Sequence, residues 1–389
     1  MNLFLGGFAK VCFGYIQVVS KLTKNRKKNR MYTDNYSYNG FTYLKNYNPN
    51  IDSPIIQHTK DKPKNIFKYY SLNKYSLDAL KNGYFYASHP IELNDLLDSS
   101  PFLLFTSKKI EYDLYEKFLG EAYDDKENLK KYYEEDSNRE NLCKGYISTL
   151  WEVATNLFGI ISTSETEFNP LMWPHYTQEK GFQIKFNTEN LEKSIESKIN
   201  ENEEYLGLYP VNYTGKLSPI DINPFQSLLV PLYYATNIKS KSWEYEKEWR
   251  FLIGKQNMGV PYSKRGLNIK KDYNVNKKNR YVYYDSNLVE EITLGVDFFN
   301  SRDFEVEWLD AMNIKVKALK SDSNWEFESQ NIFMDYVYKN LKDKLYYSGL
   351  KYELDEENVH YLVRTKEKME IENIAENTYV LTRTNIVKK

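Results

Sequence analysis

Residues 66–88, IFKYYSLNKYSLDALKNGYFYAS, change their periodicity twice. IFKYY is β-prone, SLNKYSLDALKNG offers Ser and Asn caps with Leu77 and Leu80 as apolar positions and Gly83 as a stop, and YFYAS returns to strand character. A strand, a helix and a strand in two dozen residues fit a doubly wound fold or an α+β one. The rest of the chain decides. FGIIST (158–163), FQIKF (182–186), YPVNYT (209–214), EWRFLIG (248–254), YVYYD (281–285) and EITLGV (291–296) are strand patterns in succession. Between these strands, helical patterning falls at 108–135, with Ile110, Leu114 and Phe118 on one face, and at LEKSIESKINENEE, 191–204. Helices that cluster apart from strands predict an α+β fold with a mixed or mainly antiparallel central sheet and flanking helices.

The 389 residues, 41% hydrophobic, suffice for one large or two modest cores. Basic and acidic side chains nearly cancel, 53 against 54, so no global field draws in nucleic acid or membrane, and an electrostatic partner must meet a local patch. Cys12 and Cys143 fit neither a zinc spacing nor a disulfide framework, which points to the cytoplasm. His58, His89, His175 and His360 are too scattered for a His-rich metal centre; carboxylate-bound Mg²⁺ stays open.

Four segments follow from composition. Residues 1–30 are an apolar then basic lead: LFLGGFAKVCFGYIQVV (3–19) contains Lys10 and runs into six basic residues between Lys21 and Arg30. It reads either as a marginal membrane tether that keeps the body cytoplasmic, or as a start assigned too early, since Met31 follows. Residues 31–64 are expected to be a weakly ordered lead and 65–320 an α+β domain. In 321–389 a helix through NIFMDYVYKNLKDKLYYSG precedes strands near VHYLVRT and TYVLTRTNIV, as an appendage or as completion of the sheet. No repeat and no glycine-rich nucleotide loop occurs.

Three stretches can carry chemistry. In YASHPIELNDLLDSSP, Ser88 and His89 end a strand before Pro90, and Asn94, Asp95 and Asp98 form a polar cluster. Such residues cap turns, or they hold a ribose or a metal. In NPLMWPHYTQEKGFQIKF, Pro170 and Pro174 bracket LMW with Trp173, so a constrained loop leads into His175 and Tyr176. His175 can exchange a proton near neutrality, Tyr176 can stack on a planar ring, and Gly181 permits close backbone approach. In KSWEYEKEWRFLIG (241–254), a strand from about Glu246 sends Trp249, Phe251 and Ile253 to one face and Glu246, Glu248 and Arg250 to the other. That is the pattern of a half-exposed strand, and equally of glutamates spaced to bind hydroxyls with Arg250 orienting a carboxylate. EEITLGV reads as structural.

FKYYSL, YFYASHPIELNDLLD, NPLMWPHYTQEKGFQIKF, SWEYEKEWRF and EITLGV together resemble the bacterial family catalogued as domain of unknown function 2971, over residues 65–320. The resemblance implies a single α+β domain often found in bacterial accessory or defence islands, and it brings no settled activity. Tyr70 stands where Arg is common, and His89 and Leu97 where Ser and an aromatic or Pro are usual. The outline of an early polar residue, a helix, a strand ending in Ser and a late EKE strand is also similar to ADP-ribosyltransferases. That likeness implies NAD as substrate, Tyr69 or Ser71 anchoring the nicotinamide ribose, Tyr176 or His175 stacking, and Glu248 as catalytic acid. The leading reading is therefore a bacterial accessory or defence effector that transfers ADP-ribose or cleaves NAD. Its rivals are a non-catalytic sensor that binds a nucleotide or a companion protein, and a nuclease in which Asp95, Asp98, Glu246 and Glu248 gather Mg²⁺.

Overall fold

The computed structural model describes residues 33–46, 54–107, 126–137, 157–199, 203–225, 228–255, 277–300, 303–319 and 328–384, with a few single positions between. The apolar stretch 3–19, Cys12, Cys143 and the expected helical face of Ile110, Leu114 and Phe118 lie outside the described residues.

Strands occupy parts of residues 33–46 and 54–64, where the sequence predicts a weakly ordered lead. β1 (Thr33–Tyr38) and β2 (Phe41–Asn46) form a hairpin, and β3 (Ile56–Gln57) pairs with β2. Asn39 and Gly40 both take positive φ, 50° and 78°, which is the demand of a two-residue hairpin turn. Phe41, Tyr43 and Ile56 are buried.

β4 (Asn65–Tyr70), α1 (Lys74–Asn82) and β5 (Tyr84–Tyr86) reproduce the strand, helix and strand read from residues 66–88. Asn73 caps α1 by accepting from the amides of Tyr75 and Ser76, and Gly83 closes it at φ 62°. Next come β6 (Leu104–Phe105), α2 (Lys126–Ser137), β7 (Phe158–Ser164), α3 (Met172–Thr177), β8 (Phe182–Asn187) and α4 (Thr188–Lys198). α3 occupies the stretch expected to be a loop; Pro174 sits in its first turn, where a missing amide costs nothing. α4 stops at Lys198, short of the expected 204.

β9 (Glu203–Pro210), β10 (Asn212–Thr214), β11 (Ile220–Asp221), α5 (Leu229–Ala235), β12 (Ile238–Ser240) and β13 (Glu248–Lys255) build the middle of the chain. β14 (Tyr281–Tyr283), β15 (Val289–Leu294), β16 (Phe304–Trp308) and β17 (Asn313–Ala318) follow. α6 (Glu328–Asn340) ends earlier than the sequence pattern suggests, because Leu345 already pairs with Ile292 in the sheet; β18 (Leu345–Leu354), β19 (His360–Ala375) and β20 (Thr378–Arg383) close the chain.

Eleven strands make one sheet in the order β16-β17-β20-β19-β18-β15-β8-β4-β7-β13-β9. Neighbours are antiparallel except β15 and β18, which are parallel. The fold is α+β with a mixed, mainly antiparallel sheet, and the last segment completes that sheet. One face buries Phe182, Ile184, Phe251, Ile292 and Leu294 under α1, α4 and α6. At the β7–β13 end the other face buries Ile160 and Leu252 under β1–β3 and α5.

The turn after α3 is fixed by one close approach. A Cβ on Gly181 would lie 2.0 Å from the Tyr70 carbonyl oxygen, and the Gly295 amide donates to the Gly181 carbonyl at 2.9 Å. Gly181→Ala is expected to cost about 3 kcal/mol, since backbone has to move. Urea denaturation checks this; a loss under about 1 kcal/mol would contradict the tight packing.

Candidate functional site

β13 carries the centre of the site. Trp249, Phe251 and Ile253 enter the main core as their period-two spacing predicts. The opposite row is not half-exposed: Glu248 is 5% and Arg250 0% exposed, because the second core covers that face. The strand begins only at Glu248. Lys241–Glu246 form a 3₁₀ turn, and Lys247 at φ 43° reverses the chain so that Glu246 and Glu248 converge.

Five charged side chains meet there. Arg250 grips Asp98 with both terminal nitrogens (2.9 and 2.5 Å) and Glu248 through Nε (2.8 Å), and it also donates to the Thr236 carbonyl at 2.7 Å. Lys239, from β12, donates to Glu246 at 2.5 Å and to Glu248 at 2.9 Å. The Glu248 amide donates to the Tyr213 hydroxyl at 2.9 Å. Three carboxylates face Arg250 and Lys239, and the Lys68 ammonium, which donates to the Ser162 carbonyl at 2.7 Å, adds its attraction for Glu248.

Burial opposes every charge in this group, and pairing decides the outcome. For Glu248, burial is overcome by Arg250 and Lys239, which hold its carboxyl well below the usual range. For Lys239, burial is overcome by Glu248 and Asp98, which raise it. Arg250 is held charged by Asp98 and Glu248 despite full burial. Glu246 moves the other way: burial and the nearby Glu248 raise it, with Lys239 only partly offsetting them.

Glu246 is also the carboxylate nearest solvent-accessible groups. Its second oxygen accepts from the hydroxyl of half-buried Tyr176, and exposed Asn94 reaches that hydroxyl at 3.5 Å. Beside this carboxylate, exposed His175 shares a hydrogen bond with the Tyr245 hydroxyl (3.1 Å), and the Trp243 ring lies 6.4 Å from His175 and 5.1 Å from the Lys239 ammonium, so the three rings form an aromatic rim.

The other residues singled out in the sequence lie elsewhere. The Tyr69 hydroxyl donates to the carbonyls of Thr166 and Glu167, and its ring packs on buried Trp173. Ser71 donates to the Tyr176 carbonyl and so ties β4 to α3. Ser88 bridges Ile160. His89 is buried and caps the turn Pro90–Glu92 by accepting from the Ile91 amide. Asp95 caps its own turn through the Leu97 amide. Among the described residues, no group of three or more His, Cys, Asp or Glu is arranged to hold a metal. No helix of the described residues is long and apolar enough to cross a membrane.

Sequence reasoning missed Lys239, Tyr213 and Trp243. Lys239 had one signal, a lysine inside the strand-like stretch NIKS just before the glutamates.

No curated protein and no solved structure matches the chain. Residues 172–251 match a family model described as Protein of unknown function (DUF2971). That segment contains Tyr176, Lys239, Glu246, Glu248 and Arg250, whereas Asp98 and Asn94 precede it. The chain therefore resembles the DUF2971 proteins through the helix, the turn and the strand that form its buried charged cluster.

Proposed function

We propose that this site binds NAD⁺ and cleaves its nicotinamide glycosidic bond, passing ADP-ribose to water or to an acceptor. One observation carries the reading: a buried, cation-anchored carboxylate, Glu246, is presented with the Tyr176 hydroxyl beneath an aromatic rim of His175, Trp243 and Tyr245. The nicotinamide ring of NAD⁺ is planar and positively charged, so the aromatic rings and the Glu246 carboxylate both favour it. When the bond to the anomeric carbon breaks, nicotinamide leaves neutral with the electron pair and positive charge stays on the ribose. A fixed carboxylate in a water-poor site stabilises that charge; as the hydroxyl of water or of the acceptor bonds to the anomeric carbon, its proton passes to the Glu246 carboxylate. Glu246 takes this role rather than Glu248, because among the described residues one Glu246 oxygen is held only by the Tyr176 hydroxyl beside the aromatic rim, whereas both Glu248 oxygens are held by Arg250 and Lys239.

A non-catalytic nucleotide-binding module draws support from the internal pairing of Asp98, Glu248, Arg250 and Lys239. The Mg²⁺ nuclease reading draws none, because Lys239 and Arg250 stand where the cation would.

Nicotinamide release from NAD⁺ by the full chain separates the first two. Release is expected, and Glu246→Gln should lower it on the order of 10²–10³-fold. Because the carboxylate must be ionised and its pKa is raised, release should fall with acid at a pH above the usual carboxylate value of about 4.3. NAD⁺ binding without release, even with cell extract as a source of acceptors, would overturn cleavage and leave the binding module.

A further inference from the structure

β18 and β19 leave the sheet as a two-stranded arm. β18 pairs with β15 only from Leu345 to Tyr347, and β19 pairs with β20 only from Met369 onward. From Ser348 to Leu354 the outer edge of β18 meets no other strand among the described residues. Such a bare edge is a template for another strand, and a two-stranded ribbon alone is marginal in water. Leu350, Tyr352 and Leu354 share one face and are 53%, 74% and 55% exposed.

The sequence of that edge is self-complementary. An antiparallel pairing of two copies centred on Tyr352 sets Leu350 against Leu354 and Lys351 against Glu353, each twice by symmetry. Centring one residue to either side would oppose Lys351 to Lys351 or Glu353 to Glu353. β19 offers no such match, because its Arg364 and Lys366 are already committed to Glu179 and to Glu167 and Glu291 of the body. We propose that the β18 edge is a dimerisation surface whose partner is a second copy of this chain, joined as an antiparallel strand pair about Tyr352. The two sheets then run into one another, and the apolar side chains of each arm find cross-strand neighbours.

The charge pairs give a decisive test. Sedimentation equilibrium of the full chain should show a monomer–dimer equilibrium. Lys351→Glu and Glu353→Lys each turn both attractive pairs into repulsive ones and should weaken dimerisation about tenfold to a hundredfold. Mixed together, these two variants should form a heterodimer, since every opposed pair is again opposite in charge, and the double swap should restore the homodimer. Rescue in the mixture also shows that each variant is folded. A wild-type chain that stays monomeric at high concentration overturns the proposal, as do single variants that dimerise like the wild type or a mixture that fails to associate.

Discussion

A chain ending at Lys320 is expected to yield no soluble, cooperatively folding product. The deleted part supplies Phe333, Met334, Val337, Leu341, Leu345, Met369, Ile371, Tyr379 and Leu381 to the main core, all buried. At about 1.5–3 kcal/mol for each large apolar side chain, their loss exceeds the net stability of about 5–15 kcal/mol of a typical domain. The sheet suffers in the same place. β15 loses its parallel neighbour β18, and β17 loses β20, its only link to the rest of the sheet. Two strands interior to the sheet become bare edges, which is the condition for aggregation. Soluble yield and a urea melt of the truncated chain check this. A soluble monomer with a single cooperative transition would show that residues 321–389 are dispensable to the fold.

Local pattern was enough where local physics rules. Asn73, Leu77, Leu80 and Gly83 mark α1 because capping and period are short-range, and the alternation of Trp249, Phe251 and Ile253 marks β13. It failed where distant segments decide. Glu248 and Arg250 read as a solvent-facing row, since nothing nearby announces that Asp98, Lys239 and the Thr236 carbonyl after α5 close over them. The polar surroundings of Asn39-Gly40 predict a lead, yet that turn signal closes the hairpin of β1 and β2. Pro170 and Pro174 predict a loop, yet α3 forms there with Pro174 in its first turn. Of the candidate site, Glu246, Glu248, Arg250, Tyr176, His175 and Asn94 converge. Lys239 belongs with them but arrives from β12, a strand whose pairing with β10 no local pattern reveals.

Arg250→Met should destabilise the protein by about 3–5 kcal/mol, the usual cost of stripping one partner from a buried ion pair. The methionine fills much of the volume, so the loss is electrostatic: Asp98 and Glu248 stay buried, with Lys239 paired to both and Lys68 acting on Glu248 from further away. Adding Asp98→Asn should recover part of the loss, because one of the two stranded charges disappears, and the two changes will not add. The pH dependence fixes the cause. In the wild type Glu248 is depressed below its unfolded value, so its contribution is fully present above about pH 4.3 and is lost as pH falls through that value towards the folded pKa. Without Arg250, burial becomes the stronger influence on Glu248 and lifts its pKa above the unfolded value, so its protonated form is the one the folded state prefers. Lowering the pH from 7 to 5 should therefore shrink the gap between variant and wild type. Urea unfolding of both chains at the two pH values measures it. A gap that stays constant, or one below about 1 kcal/mol at pH 7, would mean that Arg250 does not hold the cluster together.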